Sequence, residues 1–271
     1  MRSWRRSLQG LPLIFLVLAL WEGVCLLGWV NPKVLPAPHA VAARWWEYLA
    51  PPQPYDPDAG SRLDWLLSGE LVQDAAGSLY RVLAGFVVGA ALAVPLGLLM
   101  GASERVYRLC NPLLQILRPI PPIAYIPLSI LWFGLGNAPA IFLIAIGAFF
   151  PVLMNTVAGV RAVDGIFLRA ARNLGAGRAT IFRRVMLPAA MPYILTGMRV
   201  GIGTAFIVVI VAEMIAVNNG LGFRILEARE YFWSDKIIAG MLSIGLIGLA
   251  IDQAMSRINT HLLRWHRGLD Q

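Results

Sequence analysis

The sequence predicts an all-helical polytopic membrane protein, and three observations support that fold class. Of its 271 residues, 58% are hydrophobic and 14% are charged, whereas soluble domains average about 25% charged residues. The mean hydropathy is +0.67, and the apolar residues form blocks of about 20 residues, the length that spans a bilayer as a helix. None of these blocks has the alternation of an outer-membrane barrel strand. The composition excludes a disulfide scaffold, a disordered chain and an ordinary cytosolic enzyme.

Six blocks are long and apolar enough to be predicted as transmembrane helices. They are Leu11–Trp29, Leu79–Gly101, Leu113–Leu135, Ala138–Val160, Pro192–Val217 and Ile237–Ile258. No small-x-small cleavage site follows the first block, so we expect it to be a retained span and not a signal peptide. The predicted organisation is a terminal segment 1–10, a first transmembrane helix 11–29, an external segment 30–78, a core of five transmembrane helices 79–258 and a tail 259–271.

Arginine is concentrated on one side of these spans. If the N-terminus is cytoplasmic, the internal segments and adjoining span ends hold fifteen arginines, at positions 2, 5, 6, 105, 108, 118, 161, 169, 172, 178, 183, 184, 257, 264 and 267. The external segments 30–78 and 218–236 hold six basic residues against nine acids. The positive-inside rule therefore predicts that both termini are cytoplasmic. The net charge of +8 reflects this orientation and does not indicate a nucleic-acid partner.

The external segment 30–78 is rich in proline near both of its ends. Between them, Ala40–Leu49 carries Trp45 and Trp46 and is predicted as a short interfacial helix, because tryptophan rings rest at the headgroup level of a membrane. We expect this segment to cap the periplasmic face as a lid, with a substrate-binding element as the alternative.

The internal loop 161–191 is the most basic and contains a predicted amphipathic helix. Asp164 is its expected N-cap and Gly175 its expected C-terminal stop. At 100° per residue the apolar side chains share an arc of about 140°, and they are those of Ile166, Phe167, Ala170, Ala171 and Leu174. Arg169, Arg172 and Asn173 take the other side, and a second helix is expected to begin near Arg178–Thr180. A basic helix on anionic lipid and an ordinary solvated loop are the alternatives.

This loop matches a family signature. Arg169-Ala170-Ala171, then Gly175, then Val185-Met186-Leu187-Pro188 resembles the "EAA…G…I-x-LP" loop of bacterial ABC importer permeases. Arg169 stands where the pattern has Glu, and Val185 stands where it has Ile. The stretches 118–136, 194–203, 212–213 and 220–222 also look like the taurine, sulfonate, nitrate and bicarbonate branch of that family.

The resemblance implies a type I ABC importer permease with a MetI-like fold. It implies that the loop is a coupling helix that docks on a separate ATPase, through Asp164, Phe167, Arg169, Ala170, Ala171, Arg172, Leu174, Gly175, Val185, Leu187 and Pro188. The partners implied are two ATP-binding subunits, a second copy of the permease, and a periplasmic or lipid-anchored substrate-binding protein. The expected location is the bacterial inner membrane, with lipid against the basic tail.

ATP hydrolysis is predicted to belong to another chain. A P-loop needs a lysine that follows glycine in G-x-x-x-x-G-K-[ST]. The only lysines are Lys33 and Lys236, and neither follows glycine. We therefore expect no cofactor on this chain, and ATP with Mg²⁺ on the partner ATPase. Three scattered histidines and two cysteines predict neither a metal site nor a disulfide framework.

Several residues inside the spans are candidates for the translocation path or a gate. Proline breaks in the third span favour a segment that is buried or lines a cavity, with packing kinks as the alternative. Glu213 is an ionisable residue within a span, for which we expect a structural or gating role. The candidates are Pro121, Pro122, Tyr125, Pro127, Asn155, Thr156, Thr204 and Glu213.

The resemblance is nearest to the taurine and sulfonate members, so the expected cargo is taurine or an aliphatic sulfonate. Nitrate, bicarbonate or another small oxyanion or organic solute is the alternative within the same architecture. An ion-driven secondary transporter would need midplane acids and inverted repeats. An integral-membrane enzyme would need a cluster of histidines or carboxylates at one interface. The sequence has neither the midplane acids and inverted repeats of the first class nor the cluster required by the second.

Overall fold

The structure is a computed structural model, and it describes residues 11–55 and 61–263. Every regular element in that part of the chain is helical. The α-helices in chain order are α1 (Leu11–Leu26), α2 (Pro38–Leu49), α3 (Arg62–Leu66), α4 (Glu70–Ala102), α5 (Glu104–Leu117), α6 (Ile126–Phe133), α7 (Asn137–Arg161), α8 (Gly165–Asn173), α9 (Arg178–Ile181), α10 (Leu187–Ala216), α11 (Leu221–Glu230) and α12 (Ser234–Leu262). A 3₁₀ turn at Pro122–Tyr125 precedes α6, and a π turn at Phe182–Met186 joins α9 to α10.

Among the described residues, four stretches are long and apolar enough to cross a membrane. They are α4, α7, the continuous stretch from α9 through α10, and α12. A fifth candidate is α5 with Pro122–Phe133, two helical pieces bent by 82°. Helix α1 is apolar but shorter, at 16 residues. The predicted number of six spans needs both the bent pair and α1, and it stays a prediction.

The third predicted span, 113–135, differs most from the observed helices. Helix α5 begins earlier, at Glu104, is strongly amphipathic and ends at Leu117. Prolines 119, 121 and 122 follow, and because proline removes backbone donors and fixes φ, the chain bends there. Proline was expected to break this span, but α5 is a separate helix and not the first half of a straight one.

Two further boundaries are corrected. Helix α4 begins at Glu70, well before the predicted Leu79, because polar residues that were assigned to the external segment continue the helix. Helix α11 occupies part of the external segment 218–236, where no helix was predicted. A helix was predicted at 40–49 and α2 is observed there, while its interfacial position stays a prediction. The terminal segment 1–10 and tail residues 264–271 lie outside the described residues.

The chain divides into two compact units, and the first comprises residues 1–76 and 219–245. Within it, the indole of Trp45 on α2 donates a hydrogen bond to the Ser243 hydroxyl at 2.8 Å. On the same helix, Arg44 Nε lies 2.8 Å from an oxygen of Asp235. These two contacts fix α2 against the first half of α12.

The second unit comprises residues 77–218 and 246–271, and its core is formed where α4 and α10 pack against α7. Glycine allows the close approach of α4: a Cβ at Gly89 would lie 2.5 Å from the Ala145 carbonyl oxygen, and one at Gly97 would lie 2.7 Å from Thr156 Cβ. Small residues at helix contacts are typical of membrane helices. Gly203 on α10 differs from these glycines, because a Cβ there would meet nothing within 4 Å.

Candidate functional site

The amphipathic helix predicted in the loop 161–191 is observed as α8, and both of its ends are set by local chemistry. Asp164 Oδ1 accepts a hydrogen bond from the Ile166 backbone N–H at 2.8 Å, which satisfies one donor that the first turn leaves unpaired. Beyond the helix, Gly175 has a φ of +76°, a left-handed conformation that glycine adopts without steric cost. The cap and the stop are therefore the residues that the sequence predicts.

Helix α8 presents an apolar face that the described chain leaves uncovered. No residue of α8 is buried, and Phe167 and Leu174 are 62% and 88% exposed, with Ile166 also exposed. Arg169 and Arg172 are exposed as well. A helix with no fully buried residue gains further stability when its apolar face meets another surface. The arrangement therefore suits docking.

The second half of the predicted loop joins α8 to α10. Pro188 stands in the first turn of α10 and has no N–H for the carbonyl of Arg184. The turn before it is the π turn Phe182–Met186, a form that is frequent where the helical hydrogen-bond ladder is interrupted. Leu187 packs against a buried cluster that includes Val160 and Ala190. Val185, in the π turn, is half-buried.

Glu213 lies in a buried ion pair. Glu213 is 0% exposed and Arg81 is 2% exposed. Arg81 Nη1 donates to Glu213 Oε1 at 2.6 Å, and the Ser78 hydroxyl donates to Glu213 Oε2 at 2.8 Å. Arg81 Nε also donates to the Asn137 side-chain oxygen at 2.7 Å. Glu213 is therefore enclosed by the protein and does not reach solvent.

Sequence reasoning missed the partners of Glu213, although the sequence carries a signal for one of them. Arg81 lies at the end of the second predicted span that was expected to be external, and Glu213 lies near the corresponding end of the fifth. Buried charges in membrane spans are paired, so a span-end arginine and a span-end acid on the same side form an obvious pair. Ser78 and Asn137 carried no such signal, because uncharged polar residues at span ends are common.

The neutral path candidates donate hydrogen bonds to backbone carbonyls. Asn155 Nδ2 donates to the Pro151 carbonyl at 2.8 Å, and the buried Thr156 hydroxyl donates to the Val152 carbonyl at 2.7 Å. The Thr204 hydroxyl on α10 lies 3.0 Å from the Gly147 carbonyl oxygen on α7. The first two bonds lie within α7, and the third joins α10 to α7. The role of the three side chains in a path stays a prediction.

The proline candidates form the bend between α5 and α6. Pro121 precedes the 3₁₀ turn that Pro122 begins and Tyr125 ends, and Pro127 lies in the first turn of α6. Tyr125 is half-buried and packs, with Ile126, on a cluster that α7 and α10 share. One side of the broken segment is thus packed on the core, while Pro121 and Pro127 are exposed.

A second charged cluster, absent from the sequence predictions, surrounds Asp74 in the first unit. Asp74 is buried and accepts hydrogen bonds from the Tyr48 hydroxyl at 2.7 Å, the Gly220 N–H at 2.9 Å and Arg224 Nε at 2.8 Å. Burial and the hydrogen bond to Asp74 raise the pKa of Tyr48 above its ordinary value, so the phenol remains a donor. Arg224 also pairs with Glu70. The cluster fixes the start of α11 to the first turns of α4.

A sequence comparison places these elements in a family. The family described as "Binding-protein-dependent transport system inner membrane component" matches residues 93–267, which include α5, the 82° bend, α8 and Glu213. The chain belongs to this family. It is therefore an inner-membrane permease component, a non-catalytic part of an ABC importer.

Two relatives and one solved structure agree with this assignment. A putative ABC transporter permease, MJ0413 of Methanocaldococcus jannaschii, is 45% identical over 74% of this chain and 75% of its own length. The taurine transport system permease protein TauC of Escherichia coli is 34% identical over 97% of this chain and 94% of its own length. The inward-facing MetNI methionine ABC transporter aligns with a TM-score of 0.64 at 19% identity, over 74% of this chain and 99% of the transporter chain. The fold is thus the type I importer permease fold that the sequence predicts.

Proposed function

We propose that this chain forms the translocation path of an importer for taurine or a related sulfonate, and that a separate ATPase drives it by docking on α8. The observation that carries the proposal is the exposed apolar face of α8 around Phe167, flanked by Arg169 and Arg172. A rigid capped helix with this face offers a partner both burial and charge.

The partner that supplies the energy is an ATP-binding chain. This sequence contains no lysine after glycine, and so no P-loop of its own. ATP and Mg²⁺ are accordingly assigned to the partner. We infer a complex of two ATP-binding subunits and two permease copies, in which each α8 engages one ATP-binding subunit.

The side of the membrane that meets the ATPase follows from charge. Six arginines lie between Arg161 and Arg184, and arginine-rich loops stay in the cytoplasm. We therefore assign α8 and both termini to the cytoplasm. The segment around α2 and α11 then faces the periplasm, where a substrate-binding protein would deliver the cargo.

The substrate proposal rests on likeness to a taurine permease over nearly the whole chain. Taurine carries a sulfonate, which stays anionic at neutral pH. Glu213 does not oppose an anionic cargo in the described arrangement, because it is buried against Arg81 and Ser78. We assign Glu213 to holding α4 against α10, and we propose the bend around Pro121 and Pro122 as part of the path.

The test is uptake of radiolabelled taurine by proteoliposomes that contain the complete complex, with ATP inside and the binding protein outside. We expect ATP-dependent taurine accumulation that excess unlabelled sulfonate suppresses. Accumulation that ion gradients drive without the ATPase would contradict the mechanism. ATP-dependent uptake of nitrate or bicarbonate in place of taurine would contradict only the substrate.

A further inference from the structure

A compact cluster on the described chain joins the end of α7 to the first turn of α5, close to α8 in sequence. Arg161 Nη2 donates to Glu104 Oε2 at 2.9 Å. Its guanidinium also lies over the ring of Tyr107, with Cζ 4.0 Å from the ring centroid. Glu104 Oε1 accepts from Arg108 Nε at 3.1 Å. We refer to Glu104, Tyr107, Arg108 and Arg161 as the Arg161 clamp.

Movement of α8 can reach the rest of the chain through either of its two ends, and the Arg161 clamp lies at the N-terminal end. Arg161 is the last residue of α7, and the cap of α8 is Asp164, three positions later. Because no residue of α8 is buried, a force on α8 is transmitted mainly through its two ends. The C-terminal end leads into the π turn and α10, and the N-terminal end leads to Arg161.

The backbone beside the clamp is closely packed. A Cβ at Gly101 would lie 2.5 Å from Val160 Cβ, so the ends of α4 and α7 are in direct contact. A Cβ at Gly159 would lie 2.5 Å from Tyr193 Cβ on α10. The end of α7 therefore has no room to move independently of α4 and α10, and side chains anchored on it move with it.

On the other side of the clamp, α5 leads to the bend. Ser103 caps α5, with its hydroxyl oxygen accepting from the Val106 N–H, so the first turn that carries Glu104 and Tyr107 is well formed. After Leu117 the chain turns by 82° into the segment Pro122–Phe133. A rotation of α5 at its first turn would displace that segment.

We propose that the Arg161 clamp is a positioning device that transmits movement of the coupling helix α8 to α5 and so to the proline bend. The proposal rests on the function proposed above. The clamp combines an ion pair with a cation–π contact on the same guanidinium, so Arg161 is held in a fixed orientation by two partners. Exposed ion pairs alone contribute little to stability, and the expected effect of the clamp is on coupling and not on folding.

The test compares taurine uptake per ATP hydrolysed in proteoliposomes of the complete importer. Tyr107→Leu removes the aromatic face and Glu104→Gln removes the carboxylate charge. For each we expect the ratio of uptake to hydrolysis to fall about fivefold, the loss expected for one such contact, while hydrolysis continues. Tyr107→Phe keeps the ring and should retain the wild-type ratio. Arg105→Gln changes an exposed arginine of the same turn outside the clamp and should also leave the ratio unchanged.

Two outcomes overturn the proposal. The first is a wild-type ratio in both Tyr107→Leu and Glu104→Gln. The second applies where those variants do not assemble: Arg161→Lys keeps the charge but loses the planar stacking and the fork of donors, and a wild-type ratio in that variant overturns the clamp.

A further variant separates failure of the clamp from failure of the proposed function. Phe167→Ala on α8 tests docking of the ATPase directly. If Phe167→Ala lowers uptake and the clamp variants do not, only the clamp is wrong. If Phe167→Ala also leaves uptake unchanged, the docking role of α8 fails, and the clamp proposal fails with it.

Discussion

The Arg81–Glu213 pair and helix α8 differ in how far their side chains are exposed to solvent. Both lie in the second unit, and both include arginine. Glu213 and Arg81 are removed from solvent and satisfy one another, with Ser78 and Asn137 as further partners. The exposed apolar and charged side chains of α8 are not surrounded by other residues of the chain in this way. The first arrangement fixes helices within the chain, and the second leaves a surface exposed, which we propose a partner covers.

This difference predicts which substitutions lower stability and which lower association with a partner. A buried charge that loses its partner is costly, because the remaining charge stays desolvated. An exposed apolar side chain that is truncated costs the isolated chain nothing, because nothing was buried against it. Substitutions at the pair should therefore lower stability, while those on α8 should lower association and leave stability unchanged.

The largest effect is expected for Glu213→Ala. It leaves Arg81 buried with its main anionic partner removed, and it should lower the free energy of unfolding by about 3–5 kcal/mol. The measurement is thermal unfolding of the purified chain in detergent. The double variant Arg81→Met with Glu213→Leu removes both charges and should recover most of the loss. A single variant as stable as the wild type would show that the pair does not hold these helices.

Phe167→Ala should have the next largest effect, on binding alone. Truncating an aromatic residue at the centre of an interface costs about 2 kcal/mol, or about 30-fold in affinity. Affinity for the ATP-binding subunit is measured by titration in nanodiscs, and the unfolding midpoint should not change. Phe232→Ala is the matched control, since Phe232 is also highly exposed but lies outside α8. Equal losses for the two variants would contradict a specific docking face.

Gly175→Val tests the end of α8, the proposed coupling helix. A β-branched residue at a φ of +76° is strained by about 1–2 kcal/mol, so the turn after Asn173 must change and α8 must be presented differently. We expect taurine uptake per ATP to fall several-fold with little change in the unfolding midpoint.

Gly177→Ala is the control for that variant. Gly177 has a φ of −70°, and a Cβ there meets nothing within 4 Å. The alanine should therefore be tolerated. A wild-type ratio of uptake to hydrolysis in Gly175→Val would show that the geometry of this turn is irrelevant to coupling.

The sequence predicts local features of this fold better than features that depend on three-dimensional packing. The cap at Asp164, the stop at Gly175 and the proline break near Pro121 follow from the chemistry of single residues, and each is observed. The early start of α4 was missed because its first turns contain the charged residues Glu70 and Asp74. A search for apolar blocks does not include such polar turns, even when they continue the helix.

The partners of buried charges depend on which helices pack together. Asp74 carries no local sign that Tyr48 and Arg224 would enclose it, because those residues come from distant parts of the chain. The same holds for Ser78 at Glu213. The clamp at Arg161 was missed for a further reason: Glu104 and Tyr107 lie on α5, whose first turns fall before the predicted start of the third span at Leu113.

The smallest effect is expected for Asp164→Ala, which removes the N-cap of α8. Loss of the bond from Asp164 Oδ1 to the Ile166 N–H costs about 1 kcal/mol of helix stability. Because no residue of α8 is fully buried, that loss should remain within the helix and increase hydrogen–deuterium exchange at its amides about fivefold. Exchange in α7 and α10 should not change. Asp164→Asn keeps a capping oxygen and should restore protection, so equal exchange in the alanine and asparagine variants would rule out the cap as the source of order in α8.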